Sequence, residues 1–133
     1  MKSEKTRVSA VIPAPAREIY DAWLSSKGHA AMTGSPAKVS SRAGGTFNAW
    51  DGYISGKNLE MKSPSRILQA WRTTEFPDDA PDSILEILLE RAKGGTKVTF
   101  IHTGIPAGQS ASYKQGWIDF YFKPMKEYFS RKG

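Results

Sequence analysis

The sequence contains no cysteine, which excludes disulfides, thiolate metal sites and a cysteine nucleophile. Histidine is nearly as scarce, His29 and His102 being the only two imidazoles in 133 residues. Neither stands in an HExxH or other ligand spacing, so no metal site is assigned. No apolar run approaches the roughly 18 residues that cross a bilayer. Met1 to Arg7 also lacks the apolar core of a signal peptide. A single cytoplasmic domain, residues 1–133, with no membrane partner is the expectation, long enough to bury about two thirds of its unfolded surface. No serine occupies a Gly-x-Ser-x-Gly elbow. No glycines form a GxGxxG or Walker pattern, and Gly44-Gly45 and Gly94-Gly95 read as turns. Neither a cofactor nor a catalytic residue is therefore assigned. A hydrolase or cyclase would need a second titratable group within reach of His102.

The formal net charge of +6 raises the question of an anionic partner, and aromatic residues interleaved with lysines suit single-stranded nucleic acid. The distribution argues otherwise. Basic residues are scattered singly from Lys2 to Lys132, with no run longer than Arg131-Lys132, and most have an acid nearby. That pattern is a solvated surface and predicts no nucleic-acid partner.

What the chain does have is an aromatic C-terminal quarter. From Tyr113 to Phe129 the apolar residues Tyr113, Trp117, Phe120, Tyr121, Pro124 and Tyr128 recur at helical spacings, with Ile118, Phe122, Met125 and Phe129 beside them. Lys114, Asp119, Lys123, Lys126 and Glu127 leave only a narrow solvated stripe. The spacing predicts one long helix lying against a sheet. Pro124 removes the bond to the Phe120 carbonyl and predicts a kink there.

Elsewhere strand signals dominate. Arg7 to Ile12 is β-prone and stops at Pro13-Ala14-Pro15. A helix follows with Ile19, Tyr20 and Trp23 on its apolar face, then a short helix from Ser26 to Met32, weakened by Gly28, that leaves His29 exposed. Six strands are then predicted: 37–41, 45–50, 53–62, 66–75, 83–91 and 96–103. Turn chemistry separates them at Gly44-Gly45, Asp51-Gly52, Ser63-Pro64-Ser65, Pro77-Asp78-Asp79 and Gly94-Gly95. Short connections imply an antiparallel meander. The order β-α-α-β-β-β-β-β-β-α is an α+β fold in which a curved antiparallel sheet grips the C-terminal helix.

Strand alternation selects the interior. Ile67, Gln69, Trp71 and Thr73 share one face of their strand, as do Leu85, Ile87 and Leu89, then Val98, Phe100 and His102, and Phe47 with Ala49. Facing Trp117 and Tyr121, these residues enclose any cavity the sheet leaves. Phe47, Gln69, Trp71, Ile87, Phe100, His102, Trp117 and Tyr121 are accordingly the candidate ligand-binding residues. Gln69 and His102 are the polar members. Each either bonds another protein group or a trapped water, or serves as a polar handle for an apolar ligand.

The strings Ala43-Gly44-Gly45-Thr46-Phe47, Asp51-Gly52-Tyr53-Ile54-Ser55-Gly56, Gly104-Ile105-Pro106 and Gln115-Gly116-Trp117 followed by Phe120-Tyr121-Phe122 resemble the C-terminal domain of the activator of heat shock protein 90 ATPase. That family belongs to the START-like, or SRPBCC, superfamily, and the resemblance runs from about Arg7 to Phe129. It implies the helix-grip fold derived above, and with no catalytic residue assigned the expected role is binding. The first expectation is a small apolar or amphipathic molecule held between sheet and helix. The alternative is a co-chaperone-like module regulating a chaperone ATPase or another protein through its surface, with Trp50, Ile84 and Leu88 as an outer apolar patch.

Overall fold

The computed structural model describes residues 3–132. Strand β1 (Ser3–Ile12) stops where Pro13 removes the next ladder donor. Pro15 then caps α1 (Ala16–Trp23), whose Ile19, Tyr20 and Trp23 are buried. Helix α2 (Ser26–Thr33) starts where the Ser25 hydroxyl accepts the Gly28 N–H, and Gly34 ends it at φ 80°. Gly28 lowers helix propensity, but a Cβ there would meet the Ala22 Cα at 2.8 Å. Its place in the fold is the close approach of α2 to α1.

Strands β2 (Ala37–Val39), β3 (Thr46–Ala49), β4 (Ile54–Lys62), β5 (Arg66–Thr73), β6 (Ser83–Ala92) and β7 (Gly95–Pro106) follow. They form one seven-stranded sheet in the order β1-β7-β6-β5-β4-β3-β2, antiparallel throughout. The meander places β2 at one edge, β1 closes onto β7 at the other, and α1 with α2 carries the chain between the two edges. This is the expected α+β helix-grip architecture. The alternation holds as well: Ile67, Gln69, Trp71 and Thr73 are buried, while Arg66, Leu68, Ala70 and Arg72 are half-buried opposite them.

The C-terminal helix differs from the expected single α-helix kinked at Pro124. It consists of α3 (Ser110–Gly116), a π-helical segment over Trp117–Phe122, and α4 (Lys123–Lys132). In an α-helix Trp117 and Phe122 would point about 140° apart. The wider turn, in which Lys123 N–H bonds the Ile118 carbonyl, swings both to the same side. Each ring then packs on Phe100, Trp117 at 4.7 Å between centroids and Phe122 at 4.8 Å, stacked within 8°. The extra residue in the turn goes outward: Phe120, expected on the sheet-facing side, is 57% exposed. Pro124 falls at the junction between the wide and the ordinary turn, where the return from i→i+5 to i→i+4 bonding already leaves a carbonyl unmatched.

Candidate functional site

A cavity of about 380 Å³ opens between the C-terminal helix and the β3–β4 end of the sheet. The sheet side contributes Trp50, Tyr53, Ile54 and Trp71, and the helix side Tyr113, Gly116, Trp117, Phe120 and Tyr121. Among the described residues, seven of the ten that line it are aromatic. The β3–β4 turn shapes the wall through Trp50 and Asp51, at φ 54° and 56°, followed by Gly52 at 88°. Left-handed backbone at a bulky aromatic residue costs on the order of 1–3 kcal/mol. Ring contacts to Phe120 at 5.6 Å and Tyr121 at 6.2 Å accompany it. Trp50, expected on the outer sheet face, thus belongs to the interior side because the turn reverses its direction.

A hydrogen-bonded cluster borders the cavity. The Tyr53 hydroxyl donates to the Glu75 carboxylate. Tyr113 donates to Gln109 Oε1 at 2.6 Å and meets Thr73 Oγ1 at 2.7 Å, while Gln109 Nε2 donates to the Glu75 carbonyl at 3.0 Å. These bonds tie the start of α3 to the end of β5. Burial, with the Glu75 hydrogen bond added, pushes the Tyr53 hydroxyl up to about 12, so it remains a donor at neutral pH.

Both histidines are buried in opposite tautomers. His29, expected to be exposed, is 3% exposed. Its Nδ1 lies 3.0 Å from the Trp23 carbonyl, which can only accept, so Nδ1 carries the proton and Nε2 accepts from the Tyr121 hydroxyl at 2.9 Å. The sequence put His29 beside Lys27 and gave no sign that α2 turns this position toward the C-terminal helix. His102 Nδ1 accepts the Trp117 indole N–H at 3.3 Å, so Nε2 carries its proton and donates to Ser83 Oγ at 2.8 Å. Ser83 in turn donates to the Trp71 carbonyl at 2.7 Å. Burial holds the His102 pKa down at about 3 and also lowers that of His29. Burial raises that of Tyr121, a hydrogen bond from Trp50 partly offsetting it. With all four ring nitrogens engaged, these imidazoles hold the core together and present no free base to the cavity.

Of the candidate residues, Trp71, Trp117 and Tyr121 reach the cavity wall. Phe47 and Gln69 line only a separate void of about 10 Å³. Ile87, Phe100 and His102 line neither space and are buried in the core. Phe47 crosses β4 at Gly56, where a Cβ would stand 2.6 Å from the Phe47 Cζ. The Gln69 amide is used internally, accepting from Trp23 Nε1 at 3.2 Å and donating to Asn58 Oδ1 at 2.8 Å. Asn58, fully buried beside the β4 bulge, donates to the carbonyls of Ser40 and Arg42 and so anchors the β2–β3 loop. Trp50, Tyr53, Ile54, Ser112, Tyr113, Gly116 and Phe120 are the cavity residues absent from the sequence-derived set. Only the Asp51-Gly52 turn signal and the helical spacing of Tyr113 and Phe120 pointed toward them. Among the described residues no group of three acidic or histidine side chains could hold a metal ion, and no helix is long and apolar enough to cross a membrane.

Comparison with known proteins agrees with this architecture. The human activator of 90 kDa heat shock protein ATPase homolog 1 is 28% identical over 112 residues, covering 84% of this chain and 33% of that protein. The Dictyostelium discoideum homolog is 26% identical over 113 residues, 85% of this chain and 30% of that one. The chain therefore spans about a third of the length of these relatives. Among solved structures, an HSP90 activator from Plasmodium falciparum superposes with a TM-score of 0.84 at 21% identity, covering 92% of this chain and 94% of the other. The solution structure of an AHSA1-like protein from Aeromonas hydrophila gives 0.73 at 20% identity, covering 98% and 94%. At such identities these two likenesses speak for the fold alone. The family model for activator of Hsp90 ATPase homolog 1-like proteins matches residues 13–130, from just past the end of β1 through β2–β7 and most of the C-terminal helix, and the chain belongs to that family.

Proposed function

We propose that this protein is a non-catalytic binding domain that holds a small apolar or amphipathic molecule between the sheet and the C-terminal helix. The observation that carries this reading is the cavity of about 380 Å³ with its aromatic lining, within the size range of small-molecule sites. Trp71, Trp117 and Tyr121 form its floor, and Trp50 and Phe120 flank it. The test is titration with the uncharged dye Nile red. A ligand that binds only the folded state raises the melting temperature by mass action, and the tryptophan emission from Trp71 and Trp117 should change in step. Phe120→Ser should weaken binding without unfolding the protein, whereas Ile84→Ser, on the other face of the sheet, should leave it unchanged. If Nile red and a broad apolar library give neither stoichiometric binding nor a thermal shift, the reading fails.

A second reading, regulation of a chaperone ATPase, is supported by the family. Ile84 and Leu88, half-buried on the outer face of β6, are the surface through which such contact would run. Ile84→Ser would then lower stimulation of the chaperone ATPase while Phe120→Ser would not.

A further inference from the structure

Resting on the cavity reading above, we infer that the head group this cavity accepts is a compact organic cation, an alkylated ammonium, rather than an anion. Among the described residues its lining contains no lysine or arginine, so a carboxylate or sulfonate would surrender its hydration without a charged partner. Arg72 does not supply one. Its guanidinium lies over the Phe76 ring at 5.4 Å and is paired with Asp82 at 2.9 Å. Among the described residues, the one carboxylate hydrogen-bonded to a lining side chain is that of Glu75, which accepts from Tyr53.

Ring geometry points the same way. Parallel rings would make a slot for a flat molecule. Here Trp50 meets Phe120 at 67°, Trp71 meets Tyr113 at 80°, and Trp71 meets Trp117 at 50°. Rings set at such angles form no flat slot, and an aromatic enclosure of this kind suits a rounded cation better than a planar one. An alkylated ammonium spreads its charge over methyl groups and is weakly hydrated, so it enters an apolar box at lower desolvation cost than a primary amine. The net charge of +6 would by itself attract anions, so a preference for cations has to come from the site.

A matched trio of probes separates the possibilities: benzyltrimethylammonium, its uncharged carbon isostere neopentylbenzene, and phenylmethanesulfonate. Binding is followed by tryptophan emission and by the ring-proton shifts of the probe. The cation should bind roughly five- to thirtyfold tighter than the neutral isostere, and the sulfonate should not bind measurably. Glu75→Gln should reduce cation affinity severalfold and leave the neutral probe within twofold, and Phe120→Leu should weaken the cation more than the neutral probe, with unchanged melting temperatures certifying the fold. Equal or tighter binding of neopentylbenzene overturns the head-group assignment and leaves the cavity reading standing. Tighter binding of the sulfonate overturns it as well. If none of the three binds and Nile red also fails, both the assignment and the cavity reading fall.

Discussion

The Tyr121 hydroxyl donates to His29 Nε2 at 2.9 Å, joining side chains 92 positions apart and linking a cavity-lining residue to the second helix. Because His29 Nδ1–H is held by the Trp23 carbonyl, the imidazole has a single tautomer that accepts this bond. Trp23, His29 and Tyr121 also pack as rings, with centroids 4.7 to 5.5 Å apart.

Replacing His29 by Leu is therefore expected to destabilise the protein by about 2–4 kcal/mol, since it leaves the buried Trp23 carbonyl without its donor and the buried Tyr121 hydroxyl without its acceptor. Urea denaturation measures this directly. A loss below about 0.5 kcal/mol would place His29 at the surface.

Stability should fall with acid. His29 and His102 are neutral in the fold, with pKa values lowered by burial, to about 3 for His102, while in the unfolded chain each takes up a proton near pH 6.5. Below that pH the unfolded state binds more protons, so the contribution is intact above about 6.5 and lost as pH drops toward the folded value. Between those two values His102 contributes a slope of up to about 1.4 kcal/mol per pH unit, and His29 acts in the same direction. Unfolding free energies at pH 7.5, 6 and 5 should show the decline, and His102→Asn should make it shallower. An identical slope in that variant would contradict the assignment.

Trp117→Ala should destabilise by about 3–5 kcal/mol. The indole is 2% exposed, packs on Phe100, Trp71 and Tyr121, and its N–H satisfies His102 Nδ1. Chemical denaturation of the variant gives the value, and a change under about 1 kcal/mol would show the ring to be dispensable for the grip.

Pro124→Ala should shift stability by less than about 1 kcal/mol, well short of the roughly 3 kcal/mol of a proline in an uninterrupted helix. The missing N–H falls where the π-helical turn already breaks the bond ladder. A gain of 2 kcal/mol or more in thermal or urea unfolding would show that proline, and not ring packing on Phe100, sets the wide turn.

The sequence alone determined the element order, the antiparallel meander and the inward faces of β3, β5, β6 and β7, because each depends on period-2 alternation and local turn chemistry. It also determined that the terminal helix must lie on the sheet, through the sheer number of aromatic residues between Tyr113 and Phe129. Tertiary structure decided the rest. Helical spacing assumes an even turn, yet Trp117 and Phe122 both find Phe100, and that shared contact accompanies the π-helical segment and the outward turn of Phe120. Local context likewise left His29 at the surface and Trp50 on the outer face. Burial of His29 depends on Trp23 and Tyr121 arriving from distant elements, and the direction of Trp50 on a left-handed turn opposite the helix. Gln69 and His102 face inward as alternation requires. Whether an inward polar group meets a ligand or a neighbour depends on which partners the fold brings, and here Asn58, Trp23, Ser83 and Trp117 come from four different segments of the chain.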